Sequence, residues 1–121
     1  MNKEKINEGN KLIAECLGYE YGWFIGGEKK EKQWIHWKND TQIKYTRDLK
    51  YHSSWDWFIP AFNKIQKIKH DQKFCDLILA WVRHDDHENA FKTLVNYINI
   101  VVYNKPIKFN IEGLKELKKH L

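Results

Sequence analysis

Between Tyr51 and Ile68 the apolar positions recur at a helical spacing. At about 100° per residue, Trp55, Phe58, Ile59, Phe62 and Ile65 share a face, Trp57, Ala61 and Ile68 extend its edge, and Asp56, Asn63, Lys64 and Lys67 lie opposite. That arc covers about half the circumference, more than the stripe of an ordinary surface helix, and predicts a central helix over 53–69. Ser53, three residues before Asp56, predicts the N-cap and an approximate capping box. Pro60 cannot donate to the helical ladder. Either one capped turn precedes a second helix starting at Pro60 or a single helix is kinked there, and the kink is the expectation.

On either side the pattern changes period. Ile6, Leu12, Ile13, Cys16 and Leu17 predict a helix over 3–17 that Gly18 closes. Tyr19, Tyr21, Trp23 and Ile25 alternate as in a strand. Trp34-Ile35-His36-Trp37 and Ile43-Lys44-Tyr45-Thr46 flank Asn39-Asp40 as the arms of a hairpin. Phe74, Leu77, Ile78 and Trp81 fit an amphipathic helix over 73–83, although the apolar run Leu77 to Val82 reads equally as a buried strand. A broad face from Ala90 to Val102 predicts a helix over 86–103, and Ile111, Leu114, Leu117 and Leu121 a last one over 111–120. The fold class expected is α+β: one compact domain over 1–121, with a small antiparallel sheet at about residues 19–46 packed with these helices.

The run Tyr51-His52-Ser53-Ser54-Trp55-Asp56-Trp57-Phe58-Ile59-Pro60, continuing to Lys64-Ile65, resembles the signature of the phage ABA sandwich domain family. Asn10-Lys11-Leu12-Ile13-Ala14-Glu15-Cys16-Leu17-Gly18 is similar to that family's first helix, with Cys16 where an aromatic is usual. Phe91 through Tyr97-Ile98 and Tyr103-Asn104 resembles its closing helix, with Ile100-Val101-Val102 replacing a more polar end. The resemblance covers roughly a third of the chain. It implies an α/β/α fold and a phage or prophage origin, and it carries no uniform activity.

Composition narrows the functional classes. The 121 residues are 42% hydrophobic and 15% aromatic with six Trp, which implies an aromatic core or an exposed stacking surface. A net charge of +5 permits a polyanionic partner and disfavours acidic mimicry of nucleic acid. Cys16 and Cys75 have no metal-ligand spacing and fall on apolar helical faces. No signal peptide and no membrane-length apolar run is read, so the expected location is the bacterial host cytoplasm.

Four groups invite chemistry. His84-Asp85-Asp86-His87-Glu88 has the residue types of a metal site, yet Asp85 with Glu88 three residues on forms a capping box. His52 beside Ser53 and Ser54 lacks the geometry of a nucleophile and base. Gly26-Gly27 with Lys29 and Lys30 lacks the phosphate-loop spacing. The basic positions Lys64, Lys67, Lys69 and Lys73 form a possible phosphate-contacting ridge, and Trp34 and His36 can stack on unpaired bases.

The expectation is a non-enzymatic phage or prophage accessory binding protein, with no cofactor and no metal. Its specific form is a counter-defence inhibitor contacting a host protein or ribonucleoprotein, such as an RNA-guided nuclease complex, with possible RNA contact and no membrane. The alternative is a small enzyme or signal-nucleotide sequestering protein, which would need an aromatic and basic pocket beside Trp57 or His84.

Overall fold

A computed structural model describes residues 1–23, 32–35, 43–44 and 49–106, and between 21 and 44 it describes the backbone alone. Helix α1 (Lys3–Cys16) opens on Asn2, whose side chain accepts from Lys5 N. It closes in a Schellman motif: Gly18 N donates to Glu15 O and Tyr19 N to Ala14 O, with Gly18 at φ 97°. Strands β1 (Glu20–Trp23), β2 (Lys32–Ile35) and β3 (Ile43–Lys44) form an antiparallel ladder in that order, with Tyr21 opposite Trp34 and Trp34 opposite Lys44. Helices α2 (Trp55–Ile68), α3 (Gln72–Arg83) and α4 (His87–Tyr97) follow, and α4 runs on as a π-helical segment over Ile98–Val102.

The α+β expectation is corrected. Of the residues described with their side chains, 72% are helical, Glu20 is the one strand residue, and the fold class is all-α. The described core comes from the four helices, the π segment and the turn that brings in Leu49 and Tyr51. Helix packs directly on helix, α3 and α1 both against α4, and the backbone ladder reaches this body through α1 and β1. The α/β/α layering implied by the phage-family resemblance is corrected with it, because that sandwich needs a sheet between two helical layers.

The central helix is α4, in place of α2. Ala90, Phe91, Leu94, Val95, Tyr97 and Ile98 are fully buried, and Thr93, Asn96 and Asn99 are buried with them. Thr93 satisfies its hydroxyl by donating to Asn89 O at 2.7 Å within its own helix. Helix α2 buries Phe58, Ala61, Phe62 and Ile65, leaves Trp55, Trp57 and Ile59 half-buried, and exposes Ile68. It is continuous through Pro60.

The caps differ in detail from the sequence reading. Ser54, with no side-chain cap bond, starts α2, while Ser53 N and Ser54 N both donate to Lys50 O. Residues 73–83 are helical, which removes the strand alternative. The α3–α4 joint is a second Schellman motif, with Asp85 N on Val82 O, Asp86 N on Trp81 O and Asp85 itself left-handed at φ 52°. Asp86, in place of Asp85, caps α4 by accepting from Asn89 N. The predicted helix 111–120 and the hairpin tip at Asn39-Asp40 lie outside the described residues. No described helix is long and apolar enough to cross a membrane.

Candidate functional site

The Schellman turn after α1 does more than end a helix. By reversing the chain at Gly18 it delivers Leu17 and Tyr19 to the side of α2, where Tyr51 arrives from the preceding turn. On α2 the positions Trp57, Pro60, Ala61 and Lys64 follow the i, i+3, i+4, i+7 spacing of one helical stripe, and Asp56 stands at its start. Together these eight residues line a cleft of about 270 Å³.

The cleft has a graded character. Its middle is apolar and aromatic: Tyr51 is buried, Tyr19 and Trp57 are half-buried, and Tyr51 meets Trp57 edge to face at 5.3 Å. Its ends are charged and exposed, Asp56 at one and Lys64 at the other, about 12 Å apart along the helix axis at 1.5 Å per residue. Burial, then the neighbouring Tyr19, pushes the Tyr51 hydroxyl far above its ordinary pKa, and burial pushes Tyr19 up as well. Both phenols therefore stay protonated and serve as neutral hydrogen-bonding edges.

The basic residues singled out in the sequence run from the cleft over the α2–α3 junction. Lys64 lines the cleft, whereas Lys67 lies in the last turn of α2, Lys69 caps its end and Lys73 sits in the first turn of α3. All four ammonium-bearing side chains are exposed. Trp34 is placed on β2 by its backbone alone, and His36 lies outside the described residues, as does the Gly26-Gly27 segment. Leu17, Tyr19 and Tyr51 went unrecognised as site residues. The Gly18 helix stop was the available signal for the first two.

The polar residues next to α4 form a separate, structural network. Asn10 Nδ2 donates to Leu49 O at 3.2 Å and to His52 Nδ1 at 2.9 Å. Because only the amide nitrogen can donate to a carbonyl, the first bond fixes the Asn10 orientation, and His52 Nδ1 must accept. His52 is therefore neutral. Its pKa is lowered by burial and then by His87, which donates from Nε2 to Tyr51 O and stacks on Trp55 at 4.0 Å. Trp55 Nε1 in turn donates to Asp85 at 2.9 Å, so Trp55 is a half-buried bridge and not the core residue its position suggested.

A folded-state pKa below the unfolded value has a definite consequence for stability. Between the two values the unfolded chain binds more protons, so stability is complete above the ordinary histidine value of 6.5 and is lost as pH falls below it. Urea melts of the parent and of His52→Gln at pH 7.5 and pH 5.5 check this. The parent should lose more stability on acidification than the variant, and an equal loss would remove His52 from the account.

No three His, Cys, Asp or Glu side chains among the described residues are grouped to hold a metal ion. His84-Asp85-Asp86-His87-Glu88 is spent on the helix joint, the Trp55 bond and an ion pair of Glu88 with Lys92 at 3.4 Å. Cys75 lies 3.9 Å from His70 Nδ1, but it is buried and its pKa is raised by that burial, the reverse of thiolate activation. Burial likewise pushes Cys16 up to about 11. Comparison with known proteins finds no matching family model, no matching curated protein and no matching solved structure.

Proposed function

We propose that this chain is a non-enzymatic binding protein whose site is the aromatic cleft, and that it sequesters a small planar ligand there. The observation that carries this is the convergence of Tyr19, Tyr51 and Trp57 with one carboxylate and one ammonium around about 270 Å³ of concave space. That volume lies just below the usual range of small-ligand pockets, and the wall is about equally polar and apolar, with aromatic rings set beside a few charged groups. The cleft favours the sequestering alternative over a flat basic face gripping a ribonucleoprotein. Nothing in the described lining pairs a nucleophile with a base: Asp56 and Lys64 stand two helical turns apart, and both phenols hold their protons.

The residues 51–60 that resemble the phage family suggest the setting, a phage or prophage accessory protein in the host cell. In the counter-defence form of this reading, the protein would withhold a small host signal and leave host proteins untouched. Small molecules released by denaturing the purified protein, identified by mass spectrometry, test the cleft. The parent should release a heteroaromatic compound that Trp57→Ala does not retain, with Trp57→Ala shown folded by circular dichroism. Equal retention by both chains would place binding elsewhere, and release of no small molecule even after incubation with host metabolite extract would end the reading.

A further inference from the structure

We infer that the ligand class is a guanine mononucleotide, read by Asp56 at its base and by Lys64 at its phosphate; this rests on the cleft being the binding site. Three features of the cleft each select one part of such a ligand. Half-buried Trp57 and Tyr19 give the cleft aromatic surface on which a flat heteroaromatic base can lie, with Tyr51 packed edge-on behind Trp57, since every base presents a π-face. Asp56 is a paired-acceptor group at one end. Guanine offers two adjacent donors, N1–H and the 2-amino group, which a carboxylate can accept together. Adenine sets an acceptor beside its amino group and would turn a lone pair toward the same carboxylate. Lys64 is a compact point charge at the other end, the form of cation that suits a phosphate without fixing its orientation.

The charge arrangement decides between a nucleotide and a simple anion. A free phosphate would gain Lys64 alone and leave the aromatic walls wet. A cationic aromatic ligand would gain Asp56 and be repelled at Lys64. A ligand with donors at one end and negative charge at the other satisfies both. The separation of about 12 Å between the two helix positions is comparable to a Debye length of about 8–10 Å, so the Asp56 carboxylate does not seriously oppose a phosphate held at Lys64. The volume of the cleft matches about one nucleotide, which makes the mononucleotide the unit recognised.

Calorimetric titration of the purified chain with GMP, guanosine, AMP and inorganic phosphate separates these contributions. GMP should bind about tenfold more tightly than guanosine and more tightly than AMP, with phosphate alone giving no saturable heat. Lys64→Gln should lower GMP affinity about tenfold while leaving guanosine within about twofold. Asp56→Asn should lower the affinity for both by about tenfold and should narrow the gap between GMP and AMP. Both substituted side chains are exposed, so Lys64→Gln should melt as the parent does, and Asp56→Asn should melt only slightly lower, for the loss of its charge in the first turn of α2. If Asp56→Asn does not fold, the parent's GMP-to-AMP ratio and the Lys64→Gln split still decide. GMP and guanosine binding equally, AMP matching GMP, or phosphate binding as well as GMP would each overturn the inference. A Trp57-dependent compound released from the parent, together with no GMP binding, would refute the guanine assignment and leave the cleft reading intact.

Discussion

Phe91→Ala is expected to destabilise the chain by about 3–5 kcal/mol, the cost of removing a fully buried aromatic ring and leaving a cavity. Net stabilities of domains are about 5–15 kcal/mol, so this one change removes a large share. Phe91 sits where α4 meets α1 and the 49–54 turn: it lies edge-on to His52 at 6.1 Å and fills the space over Gly9. A Cβ added at Gly9 would overlap Phe91 Cζ, lie 2.9 Å from its Cε1 and stand 3.1 Å from Val95 Cγ2. In the parent, Gly9→Ala should therefore destabilise, because overpacking costs about 1–3 kcal/mol and helix propensity returns only about 1. In the Phe91→Ala background the overlap with Phe91 is gone, Val95 can shift into the vacated space, and the same substitution should stabilise by about 0.5–1 kcal/mol. Urea denaturation of the four proteins measures this sign reversal. Additive effects would mean that α1 and α4 are not locked at this point.

Tyr97→Phe is expected to cost about 1–3 kcal/mol, although it deletes a single oxygen. The Tyr97 hydroxyl donates to Lys69 O and accepts from Asp71 N at 3.1 Å, so one side chain of α4 satisfies both backbone groups at the α2–α3 junction. Around it Asp71 caps α3 by accepting from Phe74 N, and the Phe74 ring meets Tyr97 edge to face at 5.4 Å. Burial, then Cys75, pushes the Tyr97 hydroxyl up to about 12, keeping it a donor across the accessible pH range. Chemical denaturation monitored by circular dichroism gives the stability change. Hydrogen exchange should show faster opening at residues 69–75 than elsewhere, and a uniform change would contradict the junction role.

The helices were largely legible because each carries an apolar stripe at helical spacing. What the stripes do not reveal is which helix lies at the centre. Trp55, Trp57 and Ile68 made α2 look the more buried, whereas α4 carries Thr93, Asn96 and Asn99 into the interior, polar side chains that periodicity assigns to solvent. The fold class failed for a related reason. Alternation at 19–46 reports a strand period but not what the strands pack against, and the described core is made by helix on helix. The capping box at residues 85–88 was displaced by one residue because α3 and α4 abut. Asp85 is taken by the left-handed turn that ends one helix, so Asp86 must start the next.

The candidate site was legible only in part. Lys64 was placed on a polar face opposite the aromatics, yet it lies seven residues from Trp57 and so nearly above it on the helix. Its other wall comes from Leu17 and Tyr19, far away in sequence, through a turn whose direction depends on Gly18 adopting φ 97°. Helical periodicity reads one element at a time and has no access to that pairing. Of the four lysines read as a ridge, Lys64 borders the cleft, and Lys67, Lys69 and Lys73 follow over the α2–α3 junction.

Backbone amide shift mapping by NMR during a GMP titration tests the central claim most directly. Perturbations should concentrate at residues 17–19, at Tyr51 and along Asp56 to Lys64, and Trp57→Ala should abolish them. Perturbations centred instead on Lys67, Lys69 and Lys73, and surviving in Trp57→Ala, would contradict the cleft and return the basic ridge as the contact surface.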